Sequence, residues 1–483
     1  MKIELTIPCR YDWAGVFSEG LALVQRNGKF GFIDTSGKEI IPCSYGYAGN
    51  FYEGLAVVRA YEETGSKPEP HIDDQDEFEI DDFDFAGNSG KYGFIDKTGK
   101  EIAHCIYDEV YYADEDDAKE GFSQGFACLR LDGKWGFIDK TGKEIGPFVY
   151  DGAENFCEGF ARVRHNGKYG LIDETGNRTI PCFYDEVGYF IEGFARVRQH
   201  DKFGYIDKNG KQISSCIYDK LWKFSDGFAV CERDGKLGFI DKTGKEAIPS
   251  IYDWVWSFSD GLACVQRGDK YGFIDTNGKE AIPCIYDWAG SFSEGLARFV
   301  RNDKWGFIDK TGKEAINCVY DFAENFSDGR ALVKRDRKYG FIDINGKEII
   351  PCEYDRIADF SKGFARVQRN GSGGFIDAKG NEIVPCKYEE MSFYSETLSL
   401  VKDFDKYGFV DKTGKEIIPC IYDYAWCLPE GLALVNCGKK WGCIDSTGKE
   451  IIPCMYDDIR NFYDGLAAVR LDNKWGFLAI KEP

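Results

Sequence analysis

A chain of 483 residues with 82 Asp and Glu against 61 Lys and Arg carries a formal net charge of −21. That balance excludes a general nucleic-acid binder, which needs Lys and Arg to displace counterions from phosphates, and it favours a protein partner with a basic surface. No apolar run approaches the roughly 18 residues of a membrane span, so no transmembrane segment is expected.

At the start of the chain, Met1 to Pro8 reads as part of a repeat and is too short and polar for a signal-peptide core, which points to a cytoplasmic protein. The repeat itself is set by an aromatic-Gly pair whose glycines are Gly31, Gly93, Gly136, Gly170, Gly204, Gly238, Gly272, Gly306, Gly340, Gly374, Gly408, Gly442 and Gly476. From Gly136 onward every interval is 34 residues. The two earlier intervals are 62 and 43, so they hold inserts of 28 and 9. Such a fixed period marks stacked units that bury their apolar faces only against one another. Residues 1–60 hold the first repeat and part of the second, 61–89 an acidic insert, and 90–483 the remainder with a small acidic insert at 112–120.

The two inserts break the period, so a shared scaffold demand cannot explain them. The first carries Asp73, Asp74, Asp76, Asp81, Asp82 and Asp84 interleaved with aromatics that include Phe78 and Phe83, and the second carries Asp114, Asp116 and Asp117. The ordinary reading of such charge runs is a solvated loop. The sharper one is an acidic-aromatic segment that docks on a basic partner. A calcium loop is a weaker reading, because the Gly and terminal Glu spacing of an EF-hand is missing.

Further along, the unit Pro283 to Ile316 serves as the specimen. Dipeptides such as Asn166-Gly167 and Asp234-Gly235 precede the aromatic-Gly strand and predict tight hairpins. A second turn, Asp309 to Gly312, has Asp to bond its own backbone and Gly to take positive φ. Four short strands are predicted: Leu296 to Val300, Lys304 to Ile308, Lys313 to Ile316, and one leading from Tyr320 toward Phe326. The fold class is therefore all-β, with tandem 34-residue repeats of about four antiparallel strands forming a continuous curved or superhelical array. Two β-propellers of six and seven blades are the alternative. Lys2 to Pro8 reads as a third strand and Lys474 to Ile480 as a second, and pairing of these two would favour closure.

Two columns of the repeat invite a chemical reading. Cys occupies one of them at Cys9, Cys43, Cys105, Cys182, Cys216, Cys284, Cys318, Cys352, Cys386, Cys420 and Cys454. Like positions lie four strands apart, roughly 19 Å at about 4.8 Å per strand, too far for a disulfide within the column. Free thiols packed as small hydrophobes are expected, in a reducing compartment. Phe148 and Ser250 in the same column agree with packing. Two positions later Tyr stands in every repeat, and Asp follows it in eleven, a pattern that answers a folding demand. Cys443 reads as a core substitution, and Cys427 and Cys437 as idle surface thiols.

The pattern Lys-Trp-Gly-Phe-Ile-Asp-Lys-Thr-Gly-Lys-Glu at Lys304 to Glu314, followed by Tyr320-Asp321 and a Phe-x-x-Gly segment, resembles the WG-repeat proteins. The resemblance implies a repeat protein of a mostly bacterial family and brings no catalytic residue. Nor do the residues supply one. His71, His104, His165 and His200 lack the spacing of a zinc site, and there is no phosphate loop or nucleophile elbow. No enzyme, cofactor or metal is expected. Two functions remain: a scaffold for protein–protein interaction, and a carbohydrate or cell-surface binding module using Trp222, Trp254, Trp256, Trp288 and Trp426 as stacking faces.

Overall fold

The computed structural model describes residues 2–61, 90–111, 121–361, 363–393, 398–411, 413–428 and 431–481. Among these residues the regular structure is entirely β, in twelve sheets, eleven of four strands and one of seven. Contacts divide the chain into two compact units, residues 1–184 with 432–483, and residues 185–431.

In the unit of residues 185–431, the sheet around Gly306 shows the plan. Trp288–Ser293, Leu296–Arg301, Lys304–Asp309 and Glu314–Tyr320 pair antiparallel in that order. Asn302 and Asp303 both take positive φ, 52° and 60°, the left-handed pair that a two-residue hairpin requires. This tight turn fixes the register from Leu296↔Asp309 through Arg301↔Lys304. Two strands differ from expectation. The last one runs on to Tyr320, and the segment after it, Phe322–Ala323, opens the next sheet. The switch occurs at the Tyr-Asp step, where Asp321 N donates to Lys334 O of that next sheet at 2.8 Å.

The glycine of the aromatic-Gly pair is explained by what crosses it. Trp305 pairs with Tyr320 but Phe307 with Ile316, so the edge strand bulges opposite Gly306. A Cβ on Gly306 would lie 2.5 Å from Ile316 O and 2.9 Å from Cys318 N. Backbone fills the space that any side chain would need.

Each core is shared by two successive sheets. Phe307, Ile316 and Tyr320 of one sheet pack with Ala323, Phe326, Ala331 and Val333 of the next, all of them buried. The Phe307 and Phe326 rings meet edge-on with centroids 4.8 Å apart. Burying each Phe contributes about 1.5–3 kcal/mol, and an aromatic pair about 0.5–1.5 kcal/mol more. No sheet owns both halves of its core, which is why the unit has to repeat.

In the other unit the two termini meet. Lys2–Tyr11 pairs antiparallel with Lys474–Lys481, with Ile3 opposite Ile480 and Leu5 opposite Leu478. The first strand thus supplies the missing edge of the last sheet, and Ile7, Tyr11, Phe17, Trp475 and Phe477 share one buried cluster. The seven-stranded sheet, Trp13 to Tyr107, holds two repeats. It arises where Gly46 stands in place of the Asp that follows Tyr in eleven repeats, and Glu39–Ala48 runs through the step unbroken.

Candidate functional site

The recurring polar residues are held within the scaffold. Asp309 Oδ1 accepts from Thr311 N at 2.9 Å, Thr311 Oγ1 at 2.6 Å and Lys313 N at 3.1 Å, closing the second turn. Asp321, the Asp of the Tyr-Asp pair, accepts from Lys304 Nζ of its own repeat and, at 2.8 Å, from Asp336 N in the hairpin of the next sheet. Asp253 does the same with Lys236 and Gly268 N. A fourth carboxylate, Asp260, accepts from Gly295 N of the following sheet at 2.9 Å. The Tyr286 hydroxyl donates to Gly312 O at 3.0 Å. These carboxylates and the Tyr286 phenol are thus engaged by partners within the scaffold.

The pairing has a pH consequence. The Thr311 hydroxyl holds the Asp309 carboxyl below its ordinary value, and the Lys304 ammonium does so for Asp321. A depressed folded-state value gives stability that is present above the unfolded carboxylate value of about 3.9 and lost as the pH falls through the folded one. The melting midpoint, followed by circular dichroism, should hold level from pH 7 to about 5 and drop below about pH 4.

The thiols of the Cys column also serve packing. Cys284 Sγ lies 3.9 Å from Val265 O, which it reaches across the strand of Gly272, and burial raises its thiol. Cys443 is fully buried, as expected of a core substitution. Two cysteines correct the sequence reading. Cys427 is buried, not exposed, and burial pushes its thiol up to about 12. Cys437 is no idle thiol and Cys454 no free one, because the two form a disulfide with Cα atoms 6.0 Å apart. The column could not pair with itself, but its members lie close to the end of the strand two over. Sequence spacing alone did not reveal that neighbour.

The acidic candidates, Asp73, Asp74, Asp76, Phe78, Asp81, Asp82, Phe83, Asp84, Asp114, Asp116 and Asp117, lie outside the described residues. His71 lies outside the described residues; His104 sits 2.6 Å from Glu101, His165 3.1 Å from Val149 O, and His200 N donates to Asp185 Oδ2 at 2.8 Å. Of the five tryptophans, Trp222, Trp254, Trp256 and Trp426 are exposed, while Trp288 is half-buried against Trp305 with Arg298 over its ring. The Trp254 and Trp256 rings stand at 77° to each other, so they do not form one flat platform.

A second exposed set was missed by the sequence reading. The residue before the Tyr column is 45% exposed at Ile217, 46% at Ile251, 58% at Ile285 and 47% at Val319. These occupy the same register position on the edge strands Gln212–Tyr218, Glu246–Tyr252, Glu280–Tyr286 and Glu314–Tyr320 of four successive sheets. Their signal was present as an apolar residue that alternates out of phase with the buried Ile282 and Tyr286. Scattered exposed aliphatics need no explanation, but a periodic row of them does.

The model of the WG containing repeat matches thirteen segments, residues 4–30, 30–60, 92–135, 135–169, 169–203, 203–236, 238–271, 271–305, 305–339, 339–372, 374–405, 407–441 and 441–475. The chain belongs to the WG containing repeat family. Comparison of this WG-repeat protein with curated proteins gave no match. Among solved structures it is similar to a eukaryotic initiation factor, with 12% identity over 64% of this chain and 95% of that one and a TM-score of 0.30. It is also similar to PorZ, a bacterial surface component of the type-IX secretion system of Porphyromonas gingivalis, with 9% identity over 99% of this chain and 87% of that one and a TM-score of 0.20. The tricorn protease matches at 12% identity over 98% of this chain and 60% of that one, with a TM-score of 0.21. Likeness at this level carries no functional argument. Among the described residues no helix is long and apolar enough to cross a membrane.

Proposed function

We propose that this WG-repeat protein is a non-enzymatic scaffold that binds a protein partner along the exposed aliphatic row of Ile217, Ile251, Ile285 and Val319. The observation that carries this reading is the contrast between the two classes of residue. Recurring polar groups are engaged in turns and inter-sheet bonds, whereas this apolar row is periodic and about half solvent-facing. Pro249 and Pro283 lie on two of these edge strands and lack an N–H, so side chains rather than an added strand make the contact. The charge of −21 favours a partner whose apolar ridge is flanked by basic residues. Sixteen free cysteines suit a reducing compartment, and we place the scaffold in the cytoplasm. No cofactor enters this reading.

The test is a combined Ile217→Ser, Ile251→Ser, Ile285→Ser, Val319→Ser variant of the full chain. Exposed substitutions of this kind change stability by about 0.5 kcal/mol or less each, so the fold should persist. A protein retained by the intact chain in affinity purification, then purified and remixed, should bind the variant about tenfold or more weakly. Unchanged affinity would refute the assignment. The exposure of Trp222, Trp254, Trp256 and Trp426 supports a second reading, a carbohydrate-binding module. Release of the chain from a glycan column by free sugar, abolished by Trp254→Ala, would establish it instead.

A further inference from the structure

We infer that Cys437 and Cys454 form a reversible redox staple, a modification site built into a single repeat and independent of the partner-binding surface. In six repeats the position of Cys437 is Arg: Arg26, Arg233, Arg267, Arg301, Arg335 and Arg369. In the sheet of Gly306 that Arg pairs with a Glu of the edge strand, Arg301 Nη1 to Glu314 Oε2 at 2.8 Å. Where Cys437 stands, a sulfur faces the column cysteine in place of this ion pair.

The geometry follows from the repeat. Cys437 ends Leu432–Cys437, Cys454 lies in Glu450–Tyr456, and Lys440–Asp445 runs between them. Gly442 of that middle strand has no side chain, and the bulge carrying Cys454 lies over it, placing Cys454 Sγ 3.8 Å from Val435 O. Every column thiol that reaches across its glycine this way comes near the end of the same strand. Among the described residues only here does a second cysteine meet it, with Cα atoms 6.0 Å apart at a sequence separation of 17. That separation suits a disulfide. The other sixteen cysteines are free.

Access decides which sulfur reacts. Cys437 is exposed at the hairpin end, whereas Cys454 is half-buried. In the oxidising direction the Cys437 thiolate attacks a low-molecular-weight disulfide such as oxidised glutathione and releases one thiolate. Cys454, losing its proton, then attacks the Cys437 sulfur of the mixed disulfide and expels the second thiol. Two protein thiols are oxidised, one small disulfide is reduced to two thiols, and both protons leave with them. Reduction is the reverse exchange, begun at the exposed Cys437 sulfur.

The experiment equilibrates the folded full-length chain in glutathione buffers of varied ratio, traps free thiols with a maleimide and maps peptides by mass spectrometry. The expected result is one cross-link, Cys437 to Cys454, in oxidising buffer and its loss in reducing buffer, with the far-ultraviolet circular dichroism unchanged. Cys437→Ser should abolish the cross-link, and Cys437→Arg, which restores the residue of six sibling repeats, should abolish it while keeping the fold. Labelling of both cysteines at every ratio would overturn the inference. So would a cross-link that resists reduction until the chain unfolds, or pairing of either cysteine with a different one.

Discussion

Gly306→Ala is expected to destabilise the chain by about 3 kcal/mol, far more than a surface glycine replacement. The added methyl would sit 2.5 Å from Ile316 O and 2.9 Å from Cys318 N, both backbone atoms that cannot swing aside. Relief requires moving the bulged edge strand and, with it, Ile316 and Tyr320 out of the core they share with the next sheet. Gly295 provides the control. Its φ is +82° but nothing lies within 4 Å of its Cβ position, so Gly295→Ala costs only the left-handed strain of about 1 kcal/mol. Denaturant unfolding of the two variants against the parent chain measures the difference. Equal losses would mean that the strand crossing does not constrain this position.

A second large effect is expected at the joined termini. Phe477 is fully buried, with its ring centroid 5.0 Å from that of Phe17, and it shares a cluster with Ile7 and Tyr11 from the start of the chain. Phe477→Ala should cost about 3–5 kcal/mol, the range for a buried Phe whose cavity cannot collapse. Leu5, on the first strand, which pairs with the strand of Phe477, is 44% exposed and should lose about 0.5 kcal/mol or less on replacement by Ala. The thermal midpoint separates the two. A Phe477→Ala midpoint no lower than that of Leu5→Ala would show that the terminal strands do not contribute to the fold.

Most of the architecture was legible because each device acts within a few residues. The Asp309 to Gly312 turn and the Asn-Gly and Asp-Gly hairpins carry their structural reason in one or two residues, and Gly306 carries its own in a bulged strand only ten residues on. The offset of the sheets was less legible. Tyr320 closes one sheet and Phe322 opens the next, and nothing in the local pattern shows that the bond from Asp321 N goes to Lys334 O. Placement of Cys437 against Cys454 likewise depends on a bulge that brings together strands not adjacent in the sheet. The row of Ile217, Ile251, Ile285 and Val319 was hidden for a different reason. An apolar residue beside a buried Tyr reads as core until the edge of the sheet is known.

The most direct measurement is hydrogen–deuterium exchange of the full chain with and without its purified partner. Slowed exchange confined to Gln212–Tyr218, Glu246–Tyr252, Glu280–Tyr286 and Glu314–Tyr320 is the expected result, since these edge strands carry the exposed aliphatic row. Slowed exchange in residues 62–89, or in the strands that carry Trp222 and Trp254, with these four unchanged, would contradict it.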